Sequence, residues 1–345
     1  MGAIVAPRMR SNAVPLRTYR STGRPTAIAG IGVDAPERVL ANRDLERMVE
    51  TSDQWITERT GIKTRHIAEP GTTTFSLAAR AAEKALHAAG VQPAELDMIL
   101  VATSSPDGPF PSIACRVQEQ LGTPGACAID LLAACTGFVY GLSMADAYIA
   151  SGRAETVLVI GAEVLSRMID YADRGTCVIF GDGAGAAVVR PTTSGAGFMS
   201  WCLGSDGRGY DQVTCGNVRA GAYAAGDEKP YIGMKGPDVF KFATDIFPRQ
   251  AHAVADAAGI GMDDIDLFVP HQANYRIIEA SARRIGLPME RVVVNIDRFG
   301  NTSTATIPLA LNDALQAGRI KRGDRVLMAG FGSGLTWGAC LLEWQ

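Results

Sequence analysis

The sequence is poor in the residues that build metal and disulfide sites. Its 345 residues include four histidines and seven cysteines, all scattered, with no CxxC pair. That leaves no zinc-ligand spacing and no disulfide framework, and makes a reducing cytoplasm the expected location. Also missing is any apolar run long enough to cross a bilayer. Net positive charge is absent too. The formal charge is −3, so nucleic-acid binding has no support, and an acidic partner would need a local basic patch. One segment lacks the opposite sign: the first 26 residues carry Arg8, Arg10, Arg17, Arg20 and Arg24 and no acid. Such a segment can look like a transit peptide. The plainer expectation is a disordered basic extension over residues 1–25, or a start codon placed too early.

What is there reads as an α/β protein. With 47% hydrophobic residues, the chain can bury a sizeable core in one large or two medium domains. Residues 129–152 (IDLLAACTGFVYGLSMADAYIASG) are the pivotal stretch. A short apolar run precedes Cys135, and Phe138, Leu142, Ala145, Tyr148 and Ile149 recur at helical spacing up to a stop at Gly152. The helix dipole favours a thiolate at such a strand-to-helix junction, although free cysteines are more often small core residues. Strands are expected at 26–33, 96–103, 126–132 and 155–161, and helices at 42–50, 52–60, 75–90 and 111–121. Residues 176–190 suggest two strands around a glycine turn.

The second half repeats the first. Leu96-Asp97-Met98-Ile99-Leu100 matches Ile265-Asp266-Leu267-Phe268-Val269, and Thr156-Val157-Leu158-Val159-Ile160-Gly161 matches Arg325-Val326-Leu327-Met328-Ala329-Gly330, both at an offset of 169 residues. Between them, an 18-residue span from Cys135 corresponds to one from Asn301, which makes these two residues equivalent helix starts. The chain thus reads as two copies of one α/β unit, residues 26–195 and 196–345, with mostly parallel sheets covered on their faces.

Loops at strand ends build the sites of such folds. The duplication lets Cys135, His271 (in VPHQAN) and Asn301 (in FGNTSTA) converge. Together they can do acyl chemistry. The thiolate takes an acyl group as a thioester, and imidazole and carboxamide N–H groups donate to an oxygen that gains charge. His271 could instead be structural and Asn301 a helix cap; the strand-end position of one and the equivalence of the other to Cys135 favour function. Residues 181–185 (GDGAG) resemble part of a dinucleotide fingerprint, but AAVVR follows where a helix is required, so a hairpin with tight backbone packing is expected. Residues 330–334 (GFGSG) lack a P-loop lysine and suit an oxyanion hole. The order Cys, His, Asn also occurs in papain-like proteases, whose local cysteine signature is absent here.

Several separated motifs carry a resemblance: TSDQWITERTGIKTRHIA, AACTGFVYGLSMAD, DRGTCVIFGDGAGAAVV, VPHQANYRII, RFGNTSTATIPLAL and GFGSGLTWGA. Together they resemble the β-ketoacyl-acyl-carrier-protein synthase III family of thiolase-fold condensing enzymes, from about Pro25 to the C-terminus. The resemblance implies a thiolase-like five-layer αβαβα fold and a homodimer. It makes Cys135 the acylated nucleophile, with His271 and Asn301 holding the malonyl thioester carbonyl during decarboxylation. The backbone N–H groups of Cys135 and Ser333 would form the oxyanion hole. Trp55, Arg59 and Arg174 would hold coenzyme A, Asn274 would line the pantetheine tunnel, and Phe110 would close the partner's acyl pocket. Lys241, Arg276, Arg283 and Arg284 would dock the acidic acyl carrier protein. The family usually has Gly at Ser333 and often Ala or Ser at Thr136. The substrates implied are acyl-CoA and malonyl-acyl-carrier protein, with no metal or redox cofactor, no nucleic acid and no membrane. Two alternatives stand beside this reading. One is a secondary-metabolism relative with another primer or a hydroxyl or amine acceptor. The other is a cysteine thioester hydrolase.

Overall fold

Runs of β-branched and aliphatic residues become strands covered at every position, as in Met98–Ala102 and Val157–Glu163. The computed structural model describes residues 14–216 and 231–345. The chain begins with β1 (Thr18–Arg20), β2 (Thr26–Asp34), β3 (Val39–Ala41), α1 (Asn42–Leu45), α2 (Asp53–Thr60), β4 (Thr64–His66) and α3 (Thr74–Ala89). It continues through β5 (Met98–Ala102), α4 (Ile113–Leu121), β6 (Cys127–Leu131), α5 (Gly137–Ala150), β7 (Val157–Glu163) and β8 (Gly183–Pro191). Then come β9 (Gly197–Ser205), β10 (Val213–Cys215), β11 (Ile232–Met234), α6 (Gly236–Ala258), β12 (Leu267–Pro270) and α7 (Tyr275–Ile285). Last are α8 (Ile296–Phe299), α9 (Thr306–Gln316), β13 (Arg325–Gly332) and β14 (Thr336–Glu343).

Two five-stranded sheets form, in the orders β2-β8-β7-β5-β6 and β1-β9-β14-β13-β12. The helices α5 and α9 lie between them. Helix α5 is apolar nearly all round, burying Phe138, Val139, Leu142, Ala145 and Ile149, as a helix sandwiched between two sheets must be. One central core joins Leu100 and Val159 of the first sheet to Val269 and Met328 of the second through Leu142 and Leu311. Helices α3 and α4 cover the outer face of the first sheet, and α6 and α7 that of the second. The result is a five-layer αβαβα arrangement. No helix among the described residues is long and apolar enough to cross a membrane.

The repeat is visible in the pairing. β2/β8/β7 are antiparallel and β7/β5 parallel; β9/β14/β13 are antiparallel and β13/β12 parallel. The sheets are therefore mixed, not mostly parallel. β14 returns directly from β13 by a short connection, which only an antiparallel neighbour permits. The two-strand reading of 176–190 also fails, because only β8 is a strand. Residues 176–179 instead form turns, with the Cys177 N–H donating to the Asp173 carbonyl and the Ile179 N–H to that of Thr176, and Phe180 makes only an isolated bridge. The glycines of the expected hairpin open β8, where a Cβ on Gly185 would lie 2.6 Å from Pro308. Helix α1 stops at Leu45, short of the expected residue 50.

The basic extension is ordered over its described part. β1 pairs with β9, Arg20 donates to the Ala258 carbonyl at 3.0 Å, and the Ser21 hydroxyl donates to the Asp146 carboxylate at 2.9 Å. These partners, from both halves of the chain, give the segment the contacts that a disordered tail lacks. Residues 1–13 lie outside the described residues.

Candidate active site

Two short 3-10 turns, Ala134–Thr136 and Ser303–Ala305, introduce α5 and α9. They occupy the same place in the repeat, and each begins with a non-glycine residue of positive φ, Ala134 at 46° and Ser303 at 49°. The 169-residue offset therefore pairs Cys135 with Thr304. Asn301, expected as its equivalent, stands two residues before the second turn. The span-length match misled because α9 ends earlier in the repeat than α5 does.

Cys135 is wedged against β13. A Cβ on Gly330 would lie 3.4 Å from the Cys135 carbonyl oxygen and 3.7 Å from the His271 Cβ; one on Gly332 would lie 2.8 Å from the Cys135 nitrogen. The approach requires glycine at 332, whereas a Cβ at 330 would be in ordinary van der Waals contact. It also puts the Cys135 N–H one residue from Ser333. The Ser333 hydroxyl donates to the Val213 carbonyl at 2.6 Å. The Thr136 hydroxyl bonds the Ala133 carbonyl at 2.6 Å and the Thr336 hydroxyl at 2.9 Å.

Cys135 is half-buried as a residue, and burial of its thiol pushes the pKa up to about 12. The nearby Ser303 hydroxyl pulls it down, and Glu163 adds to the rise. Desolvation thus outweighs the dipole expected to favour thiolate, and the resting group is a thiol.

His271 follows β12 directly, and its N–H donates to the Ala329 carbonyl at 2.8 Å, extending the β12–β13 ladder. Its ring lies edge-on to Phe331, with centroids 5.5 Å apart. Burial lowers its pKa to about 3, so the imidazole is neutral. Nδ1 lies 2.6 Å from the Thr306 hydroxyl, which is also 3.0 Å from the Ser303 carbonyl. Thr306 can therefore hold either neutral tautomer. Donating to Ser303, it accepts from Nδ1–H; donating to Nδ1, it leaves the proton on Nε2. Asn301 is held by a parallel bridge to Phe180, and its Oδ1 accepts the Ser303 N–H at 2.8 Å. That leaves the Nδ2 donor for a ligand.

The other expected residues fall into separate groups. The Trp55 ring stands 5.6 Å from the Arg59 guanidinium and 4.8 Å from that of Arg174. Asn274 caps α7 by accepting the Arg276 N–H at 2.8 Å, and its Nδ2 donates to the Arg59 carbonyl at 3.0 Å. On the face shared by α6 and α7, Lys241, Arg276, Arg283 and Arg284 are exposed. Arg276 lies over the Phe240 ring at 5.9 Å, and Arg284 donates to the Thr244 carbonyl. Phe110 is 84% exposed.

Four residues were missed: Glu163, Ser303, Thr304 and Thr306. Three stand in the FGNTSTAT stretch, where the sequence reading singled out Asn301 alone. Glu163 had a signal, an acid closing an otherwise apolar strand.

Below pH 6.5 the unfolded chain binds a proton at His271 that the folded chain refuses until about pH 3. Stability at this group is thus lost as pH falls through that window. Between pH 6 and 4, urea unfolding of the wild type should lose about 1.4 kcal/mol per pH unit more than that of His271→Gln. Equal slopes would mean that the buried neutral ring is misassigned.

Comparison with known proteins bears on this arrangement. Residues 129–207 match the family described as 3-Oxoacyl-[acyl-carrier-protein (ACP)] synthase III, and residues 255–344 match its C-terminal region. A Symbiobacterium thermophilum protein named beta-ketoacyl-[acyl-carrier-protein] synthase III is 49% identical over 325 residues, 93% of this chain and 98% of that protein. The crystal structure of 3-oxoacyl-[acyl-carrier-protein] synthase III from Aquifex aeolicus is similar at a TM-score of 0.88 and 46% identity, covering 92% of this chain and 100% of the other. The priming β-ketosynthase of the R1128 polyketide pathway gives 0.89 at 34% identity, covering 97% and 99%.

Proposed function

We propose, from the premise that this chain belongs to the β-ketoacyl-[acyl-carrier-protein] synthase III family, that Cys135, His271 and Asn301 carry out its reaction. That reaction is the decarboxylating Claisen condensation of an acyl-CoA primer with malonyl-acyl-carrier protein. It yields a 3-oxoacyl-carrier protein, CoA and carbon dioxide, and starts a fatty-acid or polyketide chain. The observation that carries the residue assignment is the packing of Cys135 and His271 against one glycine, Gly330. In the first half-reaction the Cys135 sulfur takes the acyl group from CoA. The oxyanion of the tetrahedral intermediate is held by the N–H groups of Cys135 and Ser333. In the second, the Asn301 Nδ2 and the His271 Nε2–H, with Thr306 turned to Nδ1, hold the malonyl thioester oxygen as carbon dioxide leaves. The carbanion then attacks the acyl-Cys135 carbonyl. Neither half involves a net redox change, so no redox cofactor is required. Mass spectrometry of the intact protein mixed with an acyl-CoA should find an acyl adduct that Cys135→Ala lacks and malonyl-carrier protein discharges. No adduct would overturn the nucleophile.

The pair of guanidiniums on the Trp55 ring suits the adenine and phosphates of CoA. Asn274, committed at both polar atoms, braces this group against α7. The basic α6–α7 face suits the acidic carrier protein. Arg276 and Arg284 are partly used in holding α6 to α7, so the cleaner test is the pair Lys241→Glu and Arg283→Glu. Together they should raise KM for malonyl-carrier protein about tenfold and leave KM for acyl-CoA unchanged. A shift in both constants would count against carrier docking.

The first sheet's edge supports a homodimer. β6 is the terminal strand, its Ile129 is partly exposed, and Leu132 just beyond it is 81% exposed, as Phe110 is. An unpaired edge beside exposed apolar side chains demands a partner. A second copy across a twofold axis would cover it and bring Phe110 toward the other acyl pocket. Leu132→Asp should shift the sedimenting species to a monomer; a wild-type monomer would refute the dimer.

A further inference from the structure

Thr136 stands at the start of α5, where a threonine hydroxyl ordinarily accepts a free N–H of its own helix. Here it makes no such cap. The side chain is buried, and its hydroxyl lies 2.6 Å from the Ala133 carbonyl and 2.9 Å from the Thr336 hydroxyl. Thr336 opens β14 in register with Gly332 of β13, and only Ser333, Gly334 and Leu335 connect the two strands. Its hydroxyl lies 3.2 Å from the Ser333 carbonyl and 3.4 Å from that of Ala133. Each hydroxyl has one proton, so the pair orders in one of two ways. Thr336 donates to Thr136 and Thr136 to Ala133, or Thr136 donates to Thr336 and Thr336 to Ser333. Both orders join the turn that carries Cys135 to the connection that begins with Ser333. The same two segments meet at Gly332, where a Cβ would lie 2.8 Å from the Cys135 nitrogen. The Ser333 hydroxyl ties the connection to the Val213 carbonyl at 2.6 Å, and Leu335 exchanges backbone bonds with Asp206 at 2.8 and 2.9 Å. Those bonds stay within the second half of the chain; Thr136 reaches the connection from the first.

We propose that the Thr136–Thr336 hydroxyl pair sets the separation of the two oxyanion donors, the N–H groups of Cys135 and Ser333. The inference rests on the acyl-Cys135 and oxyanion-hole reading above. The donors come from different halves of the chain, so no local backbone geometry fixes the distance between them. Thr136 directly follows Cys135, and Thr336 is in register with Gly332, the residue before Ser333. The pair therefore bridges the immediate neighbours of both donors. In the first half-reaction the primer carbonyl oxygen gains charge as the Cys135 sulfur adds, and loses it as the CoA sulfur leaves. In the second, the acyl-Cys135 carbonyl oxygen does the same as the carbanion adds and the Cys135 sulfur leaves. Donors already in place need no rearrangement as that charge appears. Loss of carbon dioxide from the malonyl group, whose oxygen is held by His271 and Asn301, does not draw on them. With the family's frequent Ala at this position the pair cannot form, so it is a device of this chain rather than of the fold. Thr136 and Thr336 act through the two N–H groups and are positioning residues.

The test compares the two half-reactions in Thr136→Val, which keeps the shape of the side chain and removes its hydroxyl. Single-turnover acylation by acyl-CoA, read by mass spectrometry of the intact protein, should slow about tenfold, short of the roughly 100-fold that outright loss of an oxyanion donor costs. Carbon dioxide release from malonyl-carrier protein without primer should stay at the wild-type rate. Thr336→Val should show the same split, and the double variant should lose no more than the slower single one, because one bond is cut twice. Thr136→Ser, which restores a hydroxyl, should regain most of the acylation rate. Wild-type acylation in Thr136→Val, an equal loss in both half-reactions, or additive losses would overturn the role of the pair. The absence of any adduct in the wild type would instead bring down the acyl-enzyme reading itself.

Discussion

Gly161 and Gly330 stand at matching positions on β7 and β13, and each faces the opposite half's turn. A Cβ on Gly161 would lie 2.4 Å from the Thr304 carbonyl oxygen, and one on Gly330 would lie 3.4 Å from that of Cys135. The closer approach, at Gly161, leaves no room for a side chain between β7 and the Ser303–Ala305 turn. A Cβ at Gly161 would have to push the turn away, at a cost of about 1–3 kcal/mol for a well-packed interior. The Ser303–Ala305 turn is thereby held against β7, at the strand end where Thr304 meets Glu163.

The duplication is broken where chemistry is needed. Two residues beyond these glycines the halves differ: β13 has Gly332, whose missing side chain admits the Cys135 nitrogen, and β7 has Glu163, whose carboxylate meets the Thr304 hydroxyl. One half supplies space for a backbone donor and the other a charge. Burial then sets the protonation states. It keeps Cys135 a thiol and His271 a neutral ring, and it raises the Glu163 pKa. The neutral, desolvated Cys135 and His271 favour hydrogen bonds to charge that develops during reaction over charge already present.

Much of this was legible in the residues. The 169-residue offset of the apolar strands is the offset at which β5 becomes β12, and at which the turn before α5 becomes the turn before α9. His271 was legible because VPHQAN ends a buried strand, and Cys135 because a helical pattern follows it. The strand directions were not, since apolar runs look alike whether neighbours run parallel or antiparallel. Residues 176–180 misled for a related reason. Their backbone bonds go to Asn301 and to a local turn, partners that no local pattern names.

By itself the sequence determined what is periodic or local: the strands, the helices and their glycine stops, the duplication, and the residue types of acyl chemistry. Tertiary structure alone decided the protonation of those residues and their company. A pKa depends on water excluded by distant segments, and the contacts that matter here join residues far apart in the chain, Glu163 to Thr304 and Cys135 to Gly332. Adjacency in the chain carries no information about either.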